Sequence, residues 1–526
     1  MKPYLLSLLL LGCSILPAQQ RYLDSLFSQV IVLDSIVYGH NIGSPIMTGG
    51  VLDTVSLYCD VYFPDTLQDT ENEHLTLILA IDRYFLPPFY NGTPFGSLKD
   101  SAVVEFATRL AKTGYTVVPF ETRRGWDAAN LDIVIRSESI LQAIHRGMQD
   151  AHTLARFLRK SAETLGNPFR VGGNDCDIGM IGFDSGGTIA LGTAFIKDVS
   201  EMELIKFQNP LTMDYFIDSL VEGNVYGSNT TPMNIPNHLG YNSEVNVVVN
   251  FGGALLDSSM IEQGEAVSIS VHCDRDPFWE YGKFLSPVQP PHDISLPYEP
   301  AGSYTIARIQ DRLGNNDLFK NPALTDSISS IARSRADGYE GLFPFQYPPA
   351  TGTFRCAGRD LPLDEAFAPW YWYDETRYAF VHDSLGLGAV FGVNGAEAVC
   401  NQTAYHGPSS AGKAKTYIDT MMSFILPRLR MSLNQRNCLT SIEDESDLFS
   451  TLEIKQDHNF LYIQGVKNGP LPLEIELMDM QGRVLHQIKG DSRTRHHMAI
   501  ANLPQGVYVL RLHHKREVAS RKVFIK

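Results

Sequence analysis

Short, largely apolar runs recur along this chain, and helical segments separate them. Residues 75–81, 115–120, 178–182, 245–251 and 266–272 all read this way. A continuous apolar run marks a strand buried on both faces, and strands alternating with helices build βαβ units and a mainly parallel sheet. Residues 136–165 read as one long amphipathic helix, with Ile140, Ile144, Met148, Ala151, Leu154 and Leu158 at helical spacing. Residues 55–64 alternate with period two, as a half-buried antiparallel strand does. Residues 20–50 read as a helix-rich lead-in, residues 387–393 as the last strand and residues 414–429 as the last helix. Between them, residues 277–380 are rich in Pro, Gly and aromatic side chains, and read as an insertion or lid over the sheet's C-terminal edge.

The expected fold class is therefore α/β, with helices on both faces of the sheet, followed by a smaller all-β module. After residue 431 an acidic linker runs to 449. Residues 450–526 then alternate in short strands around turn signals at Asn468-Gly469, Gln481-Gly482 and Gln505-Gly506. At the other end, Lys2, an apolar stretch over 5–11 and Leu16-Pro17-Ala18 make a signal peptide of residues 1–18, cleaved near Ala18. Leu10-Leu11-Gly12-Cys13 offers a rival reading, in which Cys13 is a lipidated N-terminus.

No other apolar run reaches the roughly eighteen residues of a membrane span, so none is expected in the mature chain. The net charge of -16 argues against a nucleic-acid partner, because phosphate binding needs a basic face. Cys59, Cys176, Cys273, Cys356, Cys400 and Cys438 contain no C-x-x-C, so no zinc site is expected. In an exported chain they are either disulfides, for which six cysteines allow fifteen pairings, or buried thiols. With no phosphate loop either, no metal and no cofactor are expected.

One motif carries chemistry. The run 178–182 leads into Phe183-Asp184-Ser185-Gly186-Gly187 and then a helix. A strand, a Gly-x-nucleophile-x-Gly turn and a helix form a nucleophile elbow. Gly182 and Gly186 stand two residues either side of Asp184, so this register presents Asp184 at the tip; the alternative register presents Ser185. Asp276, in the acidic loop after the run 266–272, and His406, before the last helix, follow in the chain order nucleophile, acid, histidine.

From about residue 20 to 430 the chain resembles secreted carboxylesterases and lipase-like α/β-hydrolases. The likeness is carried by Asp60-Val-Tyr62 with Pro64, Thr122-Arg-Arg-Gly-Trp126, Arg146 with Gln149-Asp150, Gly252-Gly-Ala254 and the segment from His272 to Pro277. The family's elbow serine aligns with Asp184. Its H-G-G-G oxyanion motif aligns with Ile81-Asp82-Arg83-Tyr84-Phe85, so the oxyanion region would comprise Asp82, Arg83 and the Ser185 amide. Residues 450–526 resemble the type A sorting domain of the type IX secretion system, on Met478-Asp-Met-Gln-Gly-Arg-Val484, Leu503-Pro-Gln-Gly-Val-Tyr508 and the end Lys522-Val-Phe-Ile-Lys526. That resemblance implies passage through the periplasm to the outside or the cell surface, with the secretion machinery as partner.

Three functions stay open. One is an esterase-like enzyme acting on a small ester-like substrate. Another is a hydrolase with an aspartate nucleophile, acting on an alkyl halide or epoxide, in which His406 activates water and Asp276 orients it. The third is a non-catalytic surface binding protein.

Overall fold

The computed structural model describes residues 19–81, 94–128, 130–174, 177–279, 281–282, 300–347, 352–363 and 367–433, and seven shorter stretches between 452 and 525. The signal-peptide residues lie outside the described residues, as do Cys176, Cys438 and most of the linker.

The central sheet is built from β1 (Val30–Ile42), β2 (Thr54–Pro64), β3 (Thr76–Ala80), β4 (Thr116–Phe120), β5 (Ile178–Phe183), β6 (Val247–Phe251), β7 (Val267–Cys273) and β8 (Leu342–Phe345). Its order is β1-β2-β4-β3-β5-β6-β7-β8. β1 and β2 are antiparallel to their neighbours, and every pairing from β4 through β8 is parallel. The helices are α1 (Ser101–Lys112), α2 (Ile133–Thr164), α3 (Ser185–Phe195), α4 (Ser219–Glu222), α5 (Ser303–Leu313) and α6 (Ser327–Arg335). This is the strand order and connectivity of the α/β-hydrolase fold, and the apolar runs at β3, β4, β5, β6 and β7 are all wholly buried strands, as is β8.

Period-two geometry divides each strand between two cores. Ile78 and Ala80 point to the core that holds α2 and α3. Leu77 and Leu79 point to the core that holds α1 and the last helix. The long helix begins at Asp132, whose side chain accepts the Val134 amide at 2.8 Å, the usual way to satisfy a free first-turn donor.

Three sequence expectations differ from the structure. Residues 30–42, read as part of a helix-rich lead-in, form β1, paired along β2. Its register shifts between Leu33 and Ile36 and again between Val37 and Gly39, and these irregularities erase the period-two signal. Residues 387–393, read as the last strand, instead contain a short helix. The sheet's last strand is β8, four residues long and interrupted by Pro344, which lies inside the stretch expected to be an insertion. The excursion from the sheet therefore begins after Phe345. It comprises the hairpin of β9 (Thr353–Cys356) and β10 (Arg359–Pro362), then α7 (Glu375–Ser384), α8 (Gly388–Phe391) and α9 (Gly395–His406). The chain returns to the sheet with α10 (Ala411–Leu433). A Cys356–Cys400 disulfide ties β9 to α9, while Cys59 and Cys273 are free and buried.

The C-terminal module is two small antiparallel sheets. One has the order β11 (Leu452–Gln456), β12 (Phe460–Gly465), β15 (Arg495–Ala499). The other has β14 (Val484–Lys489), β13 (Glu474–Met478), β16 (Gly506–His514), β17 (Glu517–Ile525). Leu461, Ile463, Ile475, Leu477, Met498 and Leu510 form its own core. Among the described residues no helix is long and apolar enough to cross a membrane.

Burial pushes three histidines down from their ordinary 6.5: His74 to about 4, His145 to about 3 and His152 to about 3. Between these values and 6.5 the unfolded chain binds protons that the native chain does not. Stability is therefore lost as pH falls through that window. We expect the thermal midpoint of the full chain to fall steadily from pH 7 to pH 4; a flat profile in differential scanning calorimetry would contradict this assignment.

Candidate active site at the elbow

The elbow exists because two glycines let the backbone come closer to itself than any side chain allows. A Cβ on Gly182 would lie 2.1 Å from the Gly186 carbonyl oxygen, and one on Gly186 would lie 2.2 Å from the Ala80 carbonyl oxygen. Asp184 stands between them at φ 52 and ψ -115, a conformation disfavoured for any residue with a Cβ. Its amide donates to the Phe251 carbonyl at 2.8 Å, and its own carbonyl accepts from Gly187 at 2.8 Å. With its backbone pinned on both sides, Asp184 sits at the N-terminus of α3, where the helix dipole favours a negative charge. Ser185 is the first residue of α3 and, like Asp184, is buried.

Asp276 lies in the loop after β7. Its Oδ1 accepts the amides of Phe278 at 2.8 Å and Trp279 at 2.9 Å, which fixes the loop. Its Oδ2 turns the other way. A Cβ built on Gly252 would be 3.4 Å from Asp184 Oδ1 and 3.6 Å from Asp276 Oδ2. The tertiary fold thus brings these two carboxylates together around the glycine that follows β6.

A buried polar chain supports this corner. Asn250 donates to Ser303 Oγ at 3.0 Å and to the Gly253 carbonyl at 2.9 Å, and accepts the Gly253 amide at 2.8 Å. Ser303 Oγ is 2.7 Å from His272 Nδ1, and His272 Nε2 is 2.7 Å from the Trp279 carbonyl. A carbonyl only accepts, so Nε2 carries the proton, Ser303 donates to Nδ1, and every partner is satisfied. The same Nε2 lies 3.6 Å from Asp276 Oδ2. His272 is thus the imidazole beside Asp276.

His406, the last residue of α9, is buried among rings. Its centroid is 4.9 Å from Phe367, 5.6 Å from Phe95 and 6.3 Å from Tyr371. Tyr371 also packs on Phe183, next to Asp184, at 6.4 Å, and so links His406 to the elbow. Asp82 and Arg83, the expected oxyanion region, lie outside the described residues. Sequence reasoning took Gly252 and the segment from His272, which includes Cys273, as carriers of the resemblance but gave them no role in the site. Burial, with Asp276, Asp274 and Asp184 nearby, pushes the Cys273 thiol well above its ordinary value. Sequence reasoning missed Trp370 and Tyr371, for which the aromatic run of residues 367–373 is the available signal.

Residues 457–526 match the family of secretion system C-terminal sorting domains. That match places the C-terminal module.

Esterase 2 of the planctomycete Thermogutta terrifontis is among the similar solved structures. Its butyrate-bound form is 12% identical, covering 60% of this chain and 83% of that one, with a TM-score of 0.32. The form phosphoramylated by tabun is 13% identical, covering 60% and 83%, with a TM-score of 0.31. The form phosphonylated by sarin is 13% identical, covering 60% and 84%, with a TM-score of 0.31. These identities and TM-scores are too low to carry any function across. No curated protein matches the chain.

Two substitutions test the elbow. Gly186→Ala drives a Cβ into backbone that cannot yield, and we expect a loss of about 3 kcal/mol or more in unfolding free energy. Asp184→Gly removes about 1–3 kcal/mol of backbone strain against about 0.5–1 kcal/mol of added chain entropy. Its thermal midpoint should equal or exceed that of the natural protein, and a clear drop would refute the strain.

Proposed function

We propose that this chain is an exported hydrolase whose working group is the Asp184 carboxylate. One observation carries the reading: the disfavoured backbone at Asp184 is kept at a residue with a side chain, where glycine would remove the strain. Strain of this kind gathers at functional residues. The sorting-domain match supports export, with residues 1–18 as the cleaved signal, type IX machinery as the partner of the C-terminal module, and the cell surface or exterior as destination.

Asp184 suits attack on a saturated carbon. In the first step a carboxylate oxygen bonds to the substrate carbon, and the carbon's bond to its leaving group breaks with the electron pair. An alkyl ester on Asp184 and a halide result; with an epoxide, the opened oxygen stays on the carbon skeleton and takes up a proton. In the second step water adds to the ester carbonyl as its proton passes to His406. The adduct collapses, the departing alkoxide recovers that proton, and the regenerated carboxyl releases its own. A halide thus yields an alcohol and an acid, and an epoxide yields a diol. Asp276 holds the loop beside the elbow and positions this corner.

The second reading is a non-catalytic binding protein. It is favoured by the aromatic packing around His406 and by the repulsion between two carboxylates held around Gly252.

The deciding experiment is a single turnover in 18O-water with a panel of alkyl halides and epoxides, followed by mass spectrometry of the Asp184 peptide. We expect one 18O in Asp184, and a loss of about a thousandfold or more in turnover for Asp184→Asn. Turnover that leaves Asp184 unlabelled would remove it as nucleophile. An inert natural protein that gains aryl-ester hydrolysis on Asp184→Ser would favour the binding scaffold.

A further inference from the structure

One segment of the excursion lies directly on the elbow. Residues 367–373 form an irregular strap that is mostly buried. At the point beside Gly252 where the two carboxylates meet, the third neighbour is the Trp370 ring, whose Cη2 is 3.9 Å away. Trp370 is 1% exposed and packs at a tilt on Phe251, at the end of β6, with ring centroids 5.9 Å apart. The next residue, Tyr371, packs on both Phe183 and His406, and the Ala368 backbone lies against the Cys273 thiol. One short strap therefore touches the elbow's neighbours, the acid's loop and the histidine.

The strap is packed into the core that holds α1 and α10, through Phe367, Ala368, Trp370 and Tyr371, yet it carries two local costs. Ala368 is held at φ 39, a conformation costly for a residue with a Cβ. The Trp370 indole N–H is buried with no hydrogen-bond partner among the described residues. A buried donor left unpaired is penalised relative to one in water. The strap's C-terminal end is clasped by one side chain: Ser409 Oγ accepts the Tyr373 amide at 2.9 Å and donates to the Tyr373 carbonyl at 2.6 Å. Strain and an unpaired donor both favour release, and the clasp opposes it together with the burial of the Phe367, Trp370 and Tyr371 rings.

We propose that residues 367–373 are a gate over the elbow, closed by Trp370 and latched by Ser409, so that substrate reaches Asp184 only when the indole withdraws. The inference rests on reading the elbow as the working site, but its test needs no turnover. Cys273 is buried under the gate and Cys59 is buried in the opposite core. Iodoacetamide labelling of the full chain at pH 8, mapped by mass spectrometry, reads the two thiols separately.

Ser409→Ala and Trp370→Ala should each raise Cys273 labelling about tenfold or more and leave Cys59 unchanged. Tenfold corresponds to about 1.4 kcal/mol of latch. Unchanged Cys273 labelling in both variants overturns the gate. So does a parallel rise at Cys59 in both, because the strap would then be ordinary core. If Cys273 responds while the 18O experiment finds no turnover, the gate stands and the hydrolase reading fails.

Discussion

The whole site hangs on a backbone contact that only glycine permits. Gly182 and Gly186 let the turn after β5 fold back so tightly that a Cβ at either position would overlap a carbonyl oxygen. Once that turn closes, Asp184 has one orientation, and α3 starts immediately behind it. The surrounding pieces are then placed by the parallel ladder. β6 supplies Gly252 and β7 supplies the loop of Asp276, because neighbouring parallel strands end at the same edge of the sheet.

Two kinds of packing meet at that edge. Beneath it, aliphatic side chains from both faces fill the sheet. Above it the material turns aromatic: Phe183, Phe251, Trp370, Tyr371 and Phe95 touch in succession, and the His406 ring joins Phe95 to Phe367. Large rigid rings cover much area at little conformational cost, so a short irregular strap can seal a charged corner. The Asn250–Ser303–His272 chain completes the support, since a buried polar group is tolerated only when its hydrogen bonds are made.

The C-terminal module has a separate core and matches a sorting family, which separates the question of where this protein goes from what its sheet domain does. Export also bears on its cysteines. The Cys356–Cys400 bridge ties the helix that carries His406 to a hairpin that makes no ladder with the main sheet. An oxidising destination suits that arrangement.

The sequence by itself determined the strands that are apolar on both faces, the glycine spacing of the elbow, the C-terminal sorting module and the candidates Asp184, Asp276 and His406. These are local properties: a run of side chains, a spacing of two residues, a composition. β1 escaped reading because its bulges break the alternation that identifies a strand, and β8 because four residues with a proline carry no period. Only the tertiary structure decided that Asp184 and Asp276 meet around Gly252, that His272 is the imidazole beside Asp276, and that Trp370 sits against the elbow. The first and the last of these join segments far apart in the chain, whereas His272 and Asp276, four residues apart, are brought together by the turn that follows β7. The long-range contacts follow from the order in which strands lie side by side, which no local pattern of residues encodes.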